Sequence, residues 1–258
     1  MTLAHDVAEP AGPPARDTPV LLLHSTLADR RMWDHQVRSL TAAGYRVIRC
    51  DLSGYGQSPA PTGPYNDAED VRGLLDALGA ERVDMVGASG GGLVATEVAA
   101  RWPHRVARLV LIATAAAGHE PGPELAAFVV AEDELLEAGR IDEAVELNLR
   151  TWLQTDVPQP ARELVWQMQR RAFELQQAMD DVPELAAEVD PARITAPTLL
   201  ISGARDFADF RRIAERLATR IPSAEHRHLP WAGHLPTLER PEVMDQHILD
   251  HLDRLSGR

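Results

Sequence analysis

Apolar residues in this chain gather in short runs separated by longer stretches with helical spacing. One compact run covers 20–23, after Pro19, and a second covers 45–50, after Gly44. A third, 82–86, ends at Gly87. Runs at 106–113, 198–202 and 225–229 complete the set. Each is short and bounded by turn residues, as expected of strands buried on both faces of a parallel sheet. Helical patterns lie between them. The segment 31–43 carries Met32, Val37 and Leu40 and stops at Gly44, and 67–78 stops at Gly79, a residue suited to a left-handed helix end. Further patterns cover 91–102, 207–221 and 241–255, the last with proline in its first turn. Strand and helix alternate, which predicts a doubly wound α/β fold with a mostly parallel sheet.

The alternation breaks once. From 118 to 193 there is no strand signal, and Leu164, Met168, Ala172, Leu175 and Met179 form one apolar stripe at helical spacing. Strand patterns flank the segment on both sides. The expected organisation is therefore a core domain, 1–117 and 194–258, with residues 118–193 inserted as a helical cap. Between Glu120 and Arg193 stand seventeen acidic residues and six arginines. Most of the net charge of −13 falls there.

Composition narrows the chemistry. The 258 residues are 45% hydrophobic and 25% charged, the balance of a globular protein. The acidic excess argues against nucleic acid and anionic membrane as partners. No apolar run reaches the ~18 residues needed to span a bilayer. The first eighteen residues lack the pattern of a secretory signal, so a cytoplasmic location is expected. Cys50 is the only cysteine, which excludes an internal disulfide and a cysteine-rich zinc site. All 26 basic residues are arginine, so a lysine Schiff base, a Walker lysine and an ammonium base are unavailable.

Within this frame Gly87-Ala88-Ser89-Gly90-Gly91 fits G-x-S-x-G, between the strand pattern 82–86 and a helix beginning near Gly91. A serine on a sharp strand-to-helix turn stands in strained backbone geometry. Small neighbours let strand and helix approach, and the helix N-terminus directs N–H groups at developing negative charge. A glycine-rich turn or a phosphate-binding loop has the same composition; the position after a strand favours the nucleophile. Serine needs a base, and the base needs an orienting acid. On such a sheet they follow at the ends of later strands. Asp206 comes just past 198–202 and His234 just past 225–229, in the required order. Asp206 could equally cap the next helix, His234 could be a loop histidine, and Asp209 is a rival acid. The loop His24-Ser25-Thr26 ends the first strand and can supply one oxyanion donor. The candidate donors are the backbone N–H groups of Thr26 and Gly90.

Together these residues resemble the α/β-hydrolase superfamily. The resemblance rests on His24-Ser25-Thr26 with Met32-Trp33, on Asp51 to Ser58, on the turn at Ser89, on Gly203 to Asp206, and on Gly233-His234-Leu235-Pro236 with Glu239-Arg240-Pro241-Glu242. It runs from about Pro19 to Leu255. Residues 24–36 look most like carboxylesterases and 3-oxoadipate enol-lactonases. The resemblance implies an eight-stranded, mostly parallel sheet under a helical cap. It further implies cofactor-free acyl transfer to water through an acyl-enzyme, with a small ester or lactone as substrate. The usual N-terminal hairpin is hard to find before Pro19, so the sheet is expected to be short by one or two strands. Gly90 leaves space over the nucleophile, which suggests a roomy acyl pocket. A carbon–carbon bond hydrolase, a lyase or a cyclase would use the same scaffold, and a non-catalytic ligand-binding module is a further class.

Other residues carry weaker signals. In the cap, Trp152, Trp166, Arg170 and Phe173 are candidate pocket residues, with Arg170 the candidate partner of an anionic substrate. His247 with His251, and His226 with His228, have spacings that could ligate a metal, but no convergent carboxylate motif supports a site and none is expected. Cys50 reads as a buried strand end, and Asp51 with Gly54 to Ser58 as loop-shaping residues. Sequence leaves a homo-oligomer open.

Overall fold

The structure, a computed structural model, describes residues 3–14, 16–177, 179, 182–185 and 187–253. Seven strands form one sheet: β1 (His5–Ala8), β2 (Val20–Leu23), β3 (Val47–Cys50), β4 (Val83–Ala88), β5 (Val106–Ile112), β6 (Thr198–Gly203) and β7 (Ala224–Leu229). Their order is β1-β3-β2-β4-β5-β6-β7. Only β1 runs antiparallel, pairing His5 with Cys50 and Ala8 with Val47. Every residue of β2, β4 and β6 is buried, which is why these strands read as mainly apolar runs without alternation.

Nine helices are described: α1 (Asp34–Ala42), α2 (Asp67–Ala77), α3 (Gly90–Arg101), α4 (Pro123–Glu137), α5 (Ile141–Trp152), α6 (Gln159–Gln176), α7 (Ala208–Arg220), α8 (Pro236–Glu239) and α9 (Pro241–Asp253). Helices α1 and α9 pack on each other, as do α2 and α3, while α7 packs on β6 and β7. The doubly wound architecture expected from the alternation is present. The pattern at 31–43 divides into a 3₁₀ turn, Arg30–Trp33, followed by α1. Of the expected helix 241–255, Leu255 lies outside the described residues.

The sheet has one strand that the pattern missed. β1 is four residues long and half exposed, so no apolar alternation marks it. Its place is fixed by backbone pairing and by Asp6, whose carboxylate accepts from Arg30 Nε (2.9 Å) and Arg49 Nε (3.1 Å). The guanidinium groups hold Asp6 below the ordinary carboxylate range against the opposing effect of burial. Among the described residues there are thus seven strands where the resemblance implies eight.

β5 and β6 are sheet neighbours, with Leu109 opposite Thr198, yet α4, α5 and α6 stand between them in the chain. This is the segment that the sequence shows as uninterrupted helical pattern. Its buried arc on α6 runs through Val165, Met168, Gln169, Ala172 and Phe173. The arc is displaced from the expected stripe, and Leu164, Leu175 and Met179 are only half buried. The insertion is fastened to the core at several points. Asp29 N–H points at Met168 Sδ (3.4 Å), and Tyr65 bridges Glu184. Asp209 Oδ1 accepts from His119 Nε2 (2.8 Å) and Gly122 N–H (2.7 Å) where the chain enters α4. Among the described residues no helix is long and apolar enough to cross a membrane.

Candidate active site

The loops that leave β2, β4, β6 and β7 at their carboxyl ends converge on one point, the usual place for ligands on open α/β sheets. Ser89 occupies the turn between β4 and α3 with φ 50° and ψ −117°, a left-handed conformation that costs a non-glycine residue. The surrounding backbone over-determines it. Ser89 N–H donates to Ile112 O (2.9 Å), and Ser89 O accepts from Gly92, Leu93 and Ala115 N–H at 2.9, 3.1 and 3.0 Å. The neighbouring glycines permit the packing. A Cβ on Gly91 would stand 2.5 Å from Leu23 O, and one on Gly87 would stand 2.5 Å from Gly91 O.

His234 reaches Ser89 from the loop after β7. Its Nε2 is 2.9 Å from Ser89 Oγ, and its Nδ1 is 2.8 Å from Asp206 Oδ2. The Asp206 and His234 side chains are 1% and 3% exposed, so water competes little for the contact. An ionised carboxylate only accepts, which puts the ring proton on Nδ1 and turns the Nε2 lone pair to the serine. The other Asp206 oxygen accepts from Phe207 N–H (2.8 Å). Asp206 is not the helix cap that was its alternative reading: Phe207 holds the N-cap position of α7, without a side-chain cap bond. Asp209, the rival acid, is occupied by His119 and Gly122 instead.

The His234 loop is itself held. Glu239 Oε2 accepts Gly233 N–H (2.9 Å), while Glu239 Oε1 is buried without a partner among the described residues. Burial pushes this carboxyl above its ordinary range. Trp152 and Phe210 flank the imidazole with ring centroids 4.4 and 4.3 Å away.

Thr26 and Gly90 lie close together beside the serine. A Cβ on Gly90 would lie 2.5 Å from Thr26 Cγ2 and 3.9 Å from Thr26 N. Neither N–H donates to any described protein acceptor, and that of Gly90, at the first position of α3, is one of the donors a helix leaves free. The Thr26 loop is positioned from below by His24. Leu52 N–H donates to His24 Nε2 (2.9 Å), so the proton sits on Nδ1, 2.9 Å from Ser25 O. Burial lowers the His24 pKa, which keeps the ring neutral. Gln169 reaches down to the same loop from α6. With its amide nitrogen turned to the loop, it donates to Leu27 O (3.1 Å) and Thr26 O (3.2 Å).

Above Ser89 lies a cavity of about 430 Å³. Helix α4 contributes Leu125, Phe128, Val129 and Glu132, one face at spacings of three and four. Helix α5 contributes Asn148 and Trp152, and α6 contributes Gln169, Phe173 and Gln176. Of the four candidate pocket residues, Trp152 and Phe173 line this cavity, whereas Trp166 and Arg170 do not. Trp166 lines a separate surface hollow with Glu146 and Arg162. Arg170 is paired with Asp142 (2.9 Å) and Glu174 and lies over the Trp166 ring. It stands outside the buried arc of α6, so its charge faces acids on the outside and not the cavity. The sequence reading also missed Glu132, Asn148, Gln169 and Tyr55, all of which line the cavity. The i, i+4 pairs Phe128/Glu132 and Asn148/Trp152 were the available signal.

The histidine pairs do not converge on a metal. His226 Nε2 and His228 Nδ1 both meet Ser202 Oγ, at 2.8 and 3.0 Å. His247 Nδ1 accepts from Arg227 (3.0 Å), while His251 Nε2 donates to Pro197 O (3.1 Å). No group of three or more metal-ligating side chains occurs among the described residues. Cys50 is fully buried at the end of β3, where burial pushes its thiol up. Asp51 shapes the following loop by accepting Arg30 N–H and Gln57 N–H, both at 2.8 Å.

Comparison with known proteins places this geometry in context. The profile of the Alpha/beta hydrolase family matches residues 20–246. A putative carbamate hydrolase RutD of Variovorax paradoxus is 31% identical, over 100% of this chain and 98% of that protein. A 2-hydroxy-6-oxononadienedioate/2-hydroxy-6-oxononatrienedioate hydrolase of Paraburkholderia phymatum is 30% identical over 90% of this chain and 86% of that protein. Among solved structures, the enol-lactonase of Burkholderia xenovorans LB400 superposes with a TM-score of 0.76 at 27% identity, covering 97% of this chain and 96% of that one. The chain belongs to the alpha/beta hydrolase family and is a hydrolase.

Proposed function

We propose that the protein is a serine hydrolase that cleaves a small ester or lactone through an acyl-enzyme. The observation that carries this reading is His234, with Nε2 2.9 Å from Ser89 Oγ and Nδ1 2.8 Å from Asp206. Ser89 Oγ attacks the carbonyl carbon while His234 Nε2 takes its proton. Asp206 holds the ring in the required tautomer and stabilises the imidazolium. The oxyanion is received by the N–H groups of Thr26 and Gly90. His234 then returns the proton to the departing alkoxide, and water repeats the sequence to release the acid. Residues 118–193 act as the cap, supplying the aromatic walls and excluding water from the cavity. The reaction is written without a cofactor, because each proton and electron pair is handled by these groups.

The carbon–carbon bond cleaving relatives act on substrates with two carboxylates by name, and among the described residues no arginine lines this cavity. That favours the ester or lactone reading.

Ser89→Ala should reduce ester turnover by about 10⁶ while folding is retained. A fluorophosphonate probe should label wild type at Ser89 and leave the variant unlabelled. Labelling elsewhere, or substantial residual turnover, would remove Ser89 from its role.

A further inference from the structure

The cavity is built in two layers. Nearest the reacting atoms, Phe128 on α4 and Trp152 on α5 meet edge to face at 5.0 Å, and Trp152 rests on His234. One helical turn farther along both helices, about 6 Å, stand Glu132 and Asn148. The two helices place the same spacing in opposite directions, so a polar pair follows an aromatic pair. Asn148 is 2% exposed; its Nδ2 donates to Glu132 Oε1 and to Ala144 O (2.9 Å). The second Glu132 oxygen has no protein donor among the described residues.

Among the described residues Glu132 is the only acidic side chain in this lining, and no arginine balances it there. A partly buried carboxylate without a counter-charge is costly, and a cation is the partner that relieves the cost most fully. Burial accordingly raises the Glu132 pKa, with Asp133 adding to the effect. The surface beside the cavity is acidic as well. A neighbouring hollow shares Phe173 and Gln176 with the cavity and carries Asp133 and Glu137. A field of one sign at the mouth of a cleft draws in the opposite charge.

We propose, building on the Ser89-centred reading, that Glu132 held by Asn148 is a specificity-determining subsite for a protonated amine, so that the preferred ester or lactone carries a cationic tail. The aromatic layer grips the alkyl portion, and the ammonium donates to the open Glu132 oxygen. A cavity with this acid at its far end, and no arginine among its described lining residues, would reject a carboxylate in the same place.

The test uses three p-nitrophenyl esters with chains of matched length: ω-aminohexanoyl, heptanoyl and the corresponding monoacid ending in a carboxylate. In wild type, kcat/KM for the amine ester should exceed that for the heptanoyl ester by about tenfold or more, mainly through KM. In Glu132→Gln that ratio should collapse to about one, and Glu132→Asp should restore part of it. The readout is the ratio, so a general loss of folding or turnover does not mimic the result. Equal rates for the amine and heptanoyl esters in wild type, or a preference that survives in Glu132→Gln, would overturn the proposal. Calorimetry of hexylammonium against Ser89→Ala and Ser89→Ala/Glu132→Gln reads the same contact without turnover. Binding lost with Glu132 supports the subsite even if no ester is cleaved, a result that would count against the acyl-enzyme reading alone. Equal binding by both variants would refute the subsite.

Discussion

At the residue scale the two candidate acids differ in what their oxygens already do. Asp206 is 2.8 Å from the His234 ring nitrogen, whereas Asp209 spends one oxygen on His119 and Gly122. Asp206→Asn should therefore slow ester turnover by about 10⁴, since an amide can no longer impose the tautomer that leaves Nε2 free. Asp209→Asn should show its effect in thermal stability, by weakening the entry to α4, and change kcat by less than tenfold. Steady-state kinetics and melting of the two variants check this. The reverse ranking would assign the acid to Asp209. Both aspartates follow a strand end by a few residues, so their order in the chain could not choose between them. The choice is made by which of the two carboxylates after β6 meets His234 on the β7 loop.

The element scale is where α6 and the loop after β2 are coupled. Helix α6 reaches the 26–29 loop twice, through Met168 Sδ at Asp29 N–H and through Gln169 at Thr26 O and Leu27 O. Gln169 is 4% exposed, so losing its amide leaves two loop carbonyls without a donor. Gln169→Leu should lower kcat for a neutral ester by about tenfold with a smaller change in KM, because the loop that carries the Thr26 N–H is released while the apolar walls remain. A change confined to KM would show that Gln169 only contacts substrate. This coupling was hidden in the sequence. Gln169 sits one residue beside the expected stripe of Met168, Ala172 and Leu175, and a polar residue next to an apolar stripe ordinarily reads as its solvent edge. The buried arc instead turns toward Val165 and Phe173, which carries Gln169 inward and leaves Arg170 outside.

For the molecule as a whole, charge separates surface from cavity. The chain carries a net charge of −13, concentrated in the helical insertion, and Arg170 is neutralised on the outside by Asp142 and Glu174. Neutral esters should accordingly react faster than matched carboxylate-bearing esters. The gap should narrow between low and high salt as the long-range part is screened beyond ~8 Å. Arg170→Ala should leave the gap unchanged. Measuring kcat/KM for the pair at two ionic strengths decides it, and an anionic preference abolished by Arg170→Ala would reverse the conclusion. The sheet's edge illustrates a second whole-molecule effect. β1 exists because β3 offers it backbone partners and because Arg30 and Arg49 meet Asp6, none of which has a local signature.

What the sequence determined by itself was whatever depends on short-range pattern. Fully buried strands read as apolar runs, helices announced their ends with Gly44, Gly79 and Pro222, and the glycines around Ser89 marked a turn too tight for side chains. The order of Ser89, Asp206 and His234 could be proposed because each follows a strand, and strand ends gather on one side of a parallel sheet. Only the tertiary structure decided which residues of α4, α5 and α6 face the serine. Helical periodicity gives a direction around an axis but not the tilt of that axis or its height over the sheet. Trp166 and Phe173 lie at nearly the same angle on α6, yet seven residues of rise, about 10 Å, carry one to an outer hollow and leave the other in the cavity. The Glu132–Asn148 pair depends on α4 and α5 being packed together, and no spacing within either helix could have supplied it.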